Sequence, residues 1–153
     1  MVTQPSEADV EWVANALGRR PQSRWTVAAR DAEGHPSVIE NEPFLDDGTP
    51  MPTRFWLIDR SLSRRVGTLE AAGGVDRAES EVGLEVIQAT HDAAAAERDE
   101  RIGAAHVGPR PSGGVGGTRR GVKCLHVHLA AHLAGIDDPV GRWVVEQLER
   151  DVP

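Results

Sequence analysis

Apolar residues recur at helical spacing over most of this 153-residue chain and at strand-like density over a small part of it. Ser6 and Asp9 form an N-cap pattern ahead of Val10, Val13 and Leu17, and the spacing predicts a helix over about 7–17, ended by Gly18. Trp25–Ala29 and Ser37–Ile39 read as short strands joined through Asp31-Ala-Glu-Gly34. Asn41–Pro52, dense in Pro, Asp and Gly, reads as an acidic loop before a third strand at Phe55-Trp-Leu-Ile58. Asp59 is then placed to cap a helix carrying Leu62, Val66 and Leu69, which Gly73 and Gly74 close. Val82, Val86, Ala89, Ala93 and Ala96 share one face of a long helix from Asp76 to about Arg101. After a Gly- and Pro-rich loop over 103–117, Asp138 with Pro139 opens a last helix whose Val140, Trp143, Val144 and Leu148 face inward. The pattern is α+β: a small antiparallel sheet of about three strands packed with four to five helices, forming one domain over 1–153.

One stretch fits two periods. As a strand, Val122–Leu129 would put Cys124, His126 and His128 on one face; as a helix, Val122, Leu125, Leu129, Leu133 and Ile136 fall on one stripe. Five helical matches outweigh three alternations and predict a helix from about Arg119 to Ala134, ended by Gly135. On it Cys124, His128 and His132 form an i, i+4, i+8 ladder beside the stripe, with His126 on the other flank. Residues on such a border can be partly desolvated and still reachable, which is where thiol and imidazole groups become useful.

Composition narrows the classes. Apolar content of 39% and charged content of 27% are those of a folded globular domain. No apolar stretch is long enough to span a bilayer, and the N-terminal residues lack a signal-peptide pattern, so a cytoplasmic protein without membrane insertion is expected. The lone Cys124 cannot form an internal disulfide. The net charge of −7 argues against general nucleic-acid binding. Yet Arg101–Ile136 holds no Asp or Glu and five of the seventeen basic residues: Arg101, Arg110, Arg119, Arg120 and Lys123. That window carries +5 while the rest, with 24 acids and 12 bases, carries −12.

Three chemical readings meet in residues 113–132. Gly114, Gly116, Gly117 and Thr118, leading into a helix with Arg119, Arg120 and Lys123, could cradle an anionic, phosphate-bearing ligand. The loop lacks the Walker ending, and a solvated surface loop accounts for it equally well. Cys124 with His128, or His128 with His132, has metal-ligand spacing, zinc being the natural ion. Further ligands would come from Asp59, His91, His106, Glu40, Glu42, Asp46 or Asp47; a buried thiol with hydrogen-bonded histidines is the competing reading. Cys124 could instead be a nucleophile with His128 as its base. Trp56 and Trp143 are read as core. The function expected is ligand binding at one polar site with an adjacent Cys/His pair for metal ligation or proton transfer. The alternative is a non-catalytic module for an acidic protein partner.

Asn41-x-Pro43-Phe44, Asp47-Gly-Thr-Pro-Met-Pro-Thr53, Phe55-Trp-Leu57, Leu69-Glu-Ala71, Val122-Lys-Cys-Leu-His126 and Asp138-Pro-Val-Gly141 together resemble the family of domain of unknown function 501. The resemblance implies an actinobacterial cytoplasmic protein, encoded near a division-septum initiator and an exopolyphosphatase-type enzyme, a setting that points to a phosphate-bearing ligand or a role near division. It also implies a cysteine where this chain has Asp59. That departure leaves metal ligation by Asp59 open and weakens any dithiol chemistry.

Overall fold

A computed structural model describes residues 4–151. It contains three strands, β1 (Trp25–Arg30), β2 (Pro36–Asn41) and β3 (Phe55–Leu57). Among the described residues there are six α-helices: α1 (Glu7–Leu17), α2 (Arg60–Ala71), α3 (Gly74–Val82), α4 (Leu84–Arg101), α5 (Leu125–Leu133) and α6 (Pro139–Arg150). A 3-10 turn spans Val115–Gly117. The sheet is antiparallel in the order β1-β2-β3, so the α+β class stands. The helix count exceeds the four to five expected because the long helix breaks at Gly83, whose φ of +96° no helix accommodates.

The central strand β2 is buried on both faces, following the two-residue alternation of a pleated strand. Val38 packs with Phe55, Ala130 and Ala131 on the α5 side, while Ile39 meets Val13 and Ile58 on the α1 side. α1 is fixed by a reciprocal Ser6–Asp9 capping box, and Asp9 also pairs with Arg30 of β1. The largest core is helical: Val66, Leu69, Ala78 and Ile87 close on Leu125, Leu129, Val140, Trp143, Val144 and Leu148. No helix among the described residues is long and apolar enough to cross a membrane.

Residues 119–124 are not helical, contrary to the periodicity. Cys124 is extended (φ −152°, ψ 131°) and stands at the N-cap of α5. Val122 is buried in the core as predicted, but on non-helical chain, so it supplied a false match to the helical stripe. The cause lies in other helices. Glu79 of α3 accepts the Val122 amide at 3.0 Å, and Glu70 of α2 accepts the Leu125 amide at 2.8 Å. A carboxylate at a helix N-terminus satisfies an orphan donor and favours the dipole, so Glu70 caps α5 from 55 residues away. Gly121 permits the approach: its φ is +62°, and a Cβ there would lie 2.1 Å from a Glu79 oxygen.

Candidate metal centre

With α5 beginning at Leu125, Cys124 and His128 are not on successive helical turns. Cys124 meets His126 instead, Sγ lying 3.5 Å from Nδ1. Glu70 joins them: its Oε1 is 3.3 Å from the same Nδ1, while its Oε2 holds the Leu125 amide. Among the described residues Glu70, Cys124 and His126 are the one group of three His, Cys, Asp or Glu side chains whose ligand atoms lie within 4.8 Å of one another. All three are half-buried, with a quarter of the Glu70 and His126 side chains accessible.

The hydrogen bonding orients this group. His126 Nε2 sits 3.0 Å from the Ser63 carbonyl, which can only accept, so the ring donates Nε2–H there and turns Nδ1 toward the thiol and the carboxylate. The thiol and the carboxylate thus face one ring nitrogen, a position suited to a proton or a metal ion. Without a metal the cation is a proton. The hydrogen bond to Cys124 is the main reason the imidazole is pushed up to about 9, helped by the Ser63 carbonyl and the charges of Cys124 and Glu70 against the opposing effect of burial.

The other expected site residues lie elsewhere. His128 is fully buried and bonds Asp138 through Nδ1 at 2.8 Å, while its Nε2 has no partner. Asp138 also accepts the Val140 and Gly141 amides, so the pair ties α5 to the start of α6. His132 is half-buried on α5 beside Gly141. Asp59 caps α2 by accepting the Leu62 amide at 3.0 Å. His91 is buried, accepting the Val115 amide at Nδ1 and therefore donating Nε2–H to the Gly121 carbonyl. His106 stacks on Phe44, Glu40 pairs with Arg54, Glu42 lies 3.8 Å from Arg101, and Asp46 and Asp47 are exposed.

The glycine loop is built as an internal brace. The amides of Gly114, Val115, Gly117 and Thr118 donate to Thr118, His91, Gly114 and Val115 respectively, and Arg98 donates to the Gly113 carbonyl at 2.6 Å. A Cβ on Gly114 would lie 2.4 Å from that of His91, so glycine is required for close packing against α4. Arg119, Arg120 and Lys123 are exposed. Gly114 and Arg119 line a hollow against α4 together with Arg98, Arg110, Asp92 and Asp99, whereas His126 opens onto a different hollow beside β3. The single polar site expected from the sequence is therefore divided.

A third space, of about 330 Å³, lies between α4, the glycine loop, β3 and the start of α6. Its walls are mainly apolar, with Met51, Pro52, Phe55, Ala93, Val115 and Ile136 among them. Two of its arginines are already engaged: Arg54 bridges Glu40 and Glu97, and Arg101 donates to the Asn41 carbonyl.

Sequence reasoning missed Glu70 as a ligand and paired Cys124 with His128 where the structure pairs it with His126. Glu70 stands inside the Leu69-Glu-Ala71 block, but no local spacing links it to Cys124. Only the packing of α2 on α5 does so. Residues 27–146 match the family described as Protein of unknown function (DUF501). No curated protein matches the chain, and no solved structure does.

Proposed function

Since the chain belongs to the DUF501 family, whose function is unknown, we propose from the site itself that it is a metal-binding protein. A zinc-class divalent ion would be held by Glu70 Oε1, Cys124 Sγ and His126 Nδ1, with a further coordination position left for water or a ligand. The observation that carries this reading is the spacing of the donors. Zinc bonds of about 2.3 Å to sulfur and about 2.0 to 2.1 Å to nitrogen and oxygen, at tetrahedral angles, separate S from N by about 3.6 Å and N from O by about 3.4 Å. The protein holds these pairs at 3.5 and 3.3 Å. The outer contacts agree with the reading, since metal-bound histidines donate their second N–H to a carbonyl and ligating carboxylates are themselves hydrogen-bonded. Here the Ser63 carbonyl and the Leu125 amide fill those roles. Three protein ligands and one open position make a Lewis-acid centre, able to polarise a carbonyl or phosphoryl oxygen or activate water.

Elemental analysis of protein purified without a histidine tag should find about one zinc per chain, falling about a hundredfold or more in occupancy at limiting metal for Cys124→Ala and His126→Ala. A wild type holding only traces of metal, or a Cys124→Ala protein holding as much as wild type, overturns the reading. The anionic ligand enters in a narrower form. It would take the open position on the metal, because Arg119 lines the other hollow and most of the glycine-loop amides are already engaged. The Cys124 Sγ to His126 Nδ1 contact of 3.5 Å supports a second reading, in which Cys124 is a nucleophile and His126 takes its proton. Fast alkylation of Cys124 in zinc-free wild type that slows in His126→Ala would favour it.

A further inference from the structure

The hollow beside His126 follows the outer edge of β3. It measures about 280 Å³ and runs between the end of α1 (Leu17, with Arg19 just beyond it) and the start of α5 (His126, Val127), with Phe55, Trp56 and Leu57 as its floor. β3 is an edge strand, paired only with β2. The Asn41 amide donates to Arg54 and the Ile58 amide to Ser37, so the hydrogen-bonded pairs of the ladder fall at Arg54, Trp56 and Ile58. Phe55 and Leu57, the alternate positions, therefore turn their N–H and C=O groups outward, and no other element among the described residues supplies them with a backbone partner.

Edges are ordinarily blunted by shortness, a charge, a proline or a covering segment, and β3 has only its three-residue length. β3 has no charge and no proline. The cation at its margin is Arg19, exposed and 5.9 Å from the Trp56 ring centroid, with no carboxylate partner among the described residues. The groove thus offers two strand-pairing residues, apolar walls for a side chain, and one cation for a carboxylate.

We propose that this groove binds an extended peptide segment, which adds to β3 as a fourth strand, places an apolar side chain against Leu17 and Trp56, and presents an acidic residue or C-terminal carboxylate to Arg19. Strand addition of this kind takes its affinity from main-chain hydrogen bonds and its selectivity from the side-chain hollows beside them. Because His126 lines the same groove, the peptide is also the ligand class of the metal centre, an assignment that rests on the metal reading, while the docking does not.

The test titrates the N-acetylated pentapeptide TVTLE, with a free C-terminus, into ¹⁵N-labelled full-length protein, once after chelation and once with zinc added. The Phe55 and Leu57 amide signals should shift with a dissociation constant of about 1 mM or lower. The same peptide N-methylated at alternate residues, and Arg19→Glu protein given the unmodified peptide, should each bind several-fold more weakly. Equal binding of the N-methylated peptide, or no shift at Phe55 and Leu57, overturns the docking. With zinc present the His126 ring signals should move as well. Shifts at β3 that leave the His126 ring unmoved in the zinc-loaded protein overturn the link to the metal while the strand addition stands, and the chelated sample decides the docking if zinc does not bind at all.

Discussion

Two segments only a few residues apart, the glycine loop before Thr118 and the Cys124–His126 corner, carry similar polar groups and use them in opposite ways. In the loop, donors and acceptors close on one another and on His91 and Arg98, so the segment is a brace between α4 and α5. At the corner, each side chain is held by one contact and left with a donor atom facing its neighbours: Glu70 by the Leu125 amide and His126 by the Ser63 carbonyl. A polar cluster becomes a candidate site through what its fixing contacts leave unengaged, and richness in glycine or charge says little about that.

The comparison breaks most easily at Gly114. Gly114→Ala drives a methyl group into His91 and should cost about 2 to 3 kcal/mol, lowering the melting temperature by roughly 5 to 10 °C with zinc content unchanged. An unaltered melting curve would show that the loop is no brace. At the corner, Glu70→Gln keeps an acceptor for the Leu125 amide and removes the charged ligand. Zinc affinity should fall at least about tenfold, with a stability loss of only about 0.5 to 1 kcal/mol. Calorimetric zinc titration of the two proteins settles this, and equal affinities would remove Glu70 from the ligand set.

Acid sensitivity gives the smaller contrast, because it originates away from both segments. The Arg30 guanidinium holds the Asp9 carboxyl down to about 2. A group lowered on folding contributes stability above its ordinary value near 4 that is lost as pH falls through about 2. With Arg30 partly exposed, the contribution is about 1 kcal/mol. Urea midpoints between pH 5 and pH 2 should therefore fall less steeply in Arg30→Gln than in wild type, and parallel curves would exclude the pair as the source.

What could be read from the sequence was what neighbours in the chain determine. The capping box of α1, the Asp59 cap, the three strands and the inward face of α6 all follow from residues within a turn or two. Leu125 and Leu129 were placed correctly on the buried stripe. The start of α5 was not, since it is set by Glu70 and Glu79 from two other helices. The same long-range contacts hid the site: Cys124 pairs with His126 at i, i+2 only because the chain is extended at Cys124, and Glu70 reaches them through tertiary packing. The glycine loop was misread as open for a parallel reason, its acceptor His91 lying 24 residues away from Val115.

The remote cap on α5 also bears on folding order. A helix capped by its own N-cap residue can fray and reform locally, whereas the first turn of α5 depends on closing a 55-residue loop to α2. The Leu125 amide should therefore exchange its proton only in openings that separate α2 from α5, which ties the reporter of the site's integrity to a cooperative unit larger than the site itself.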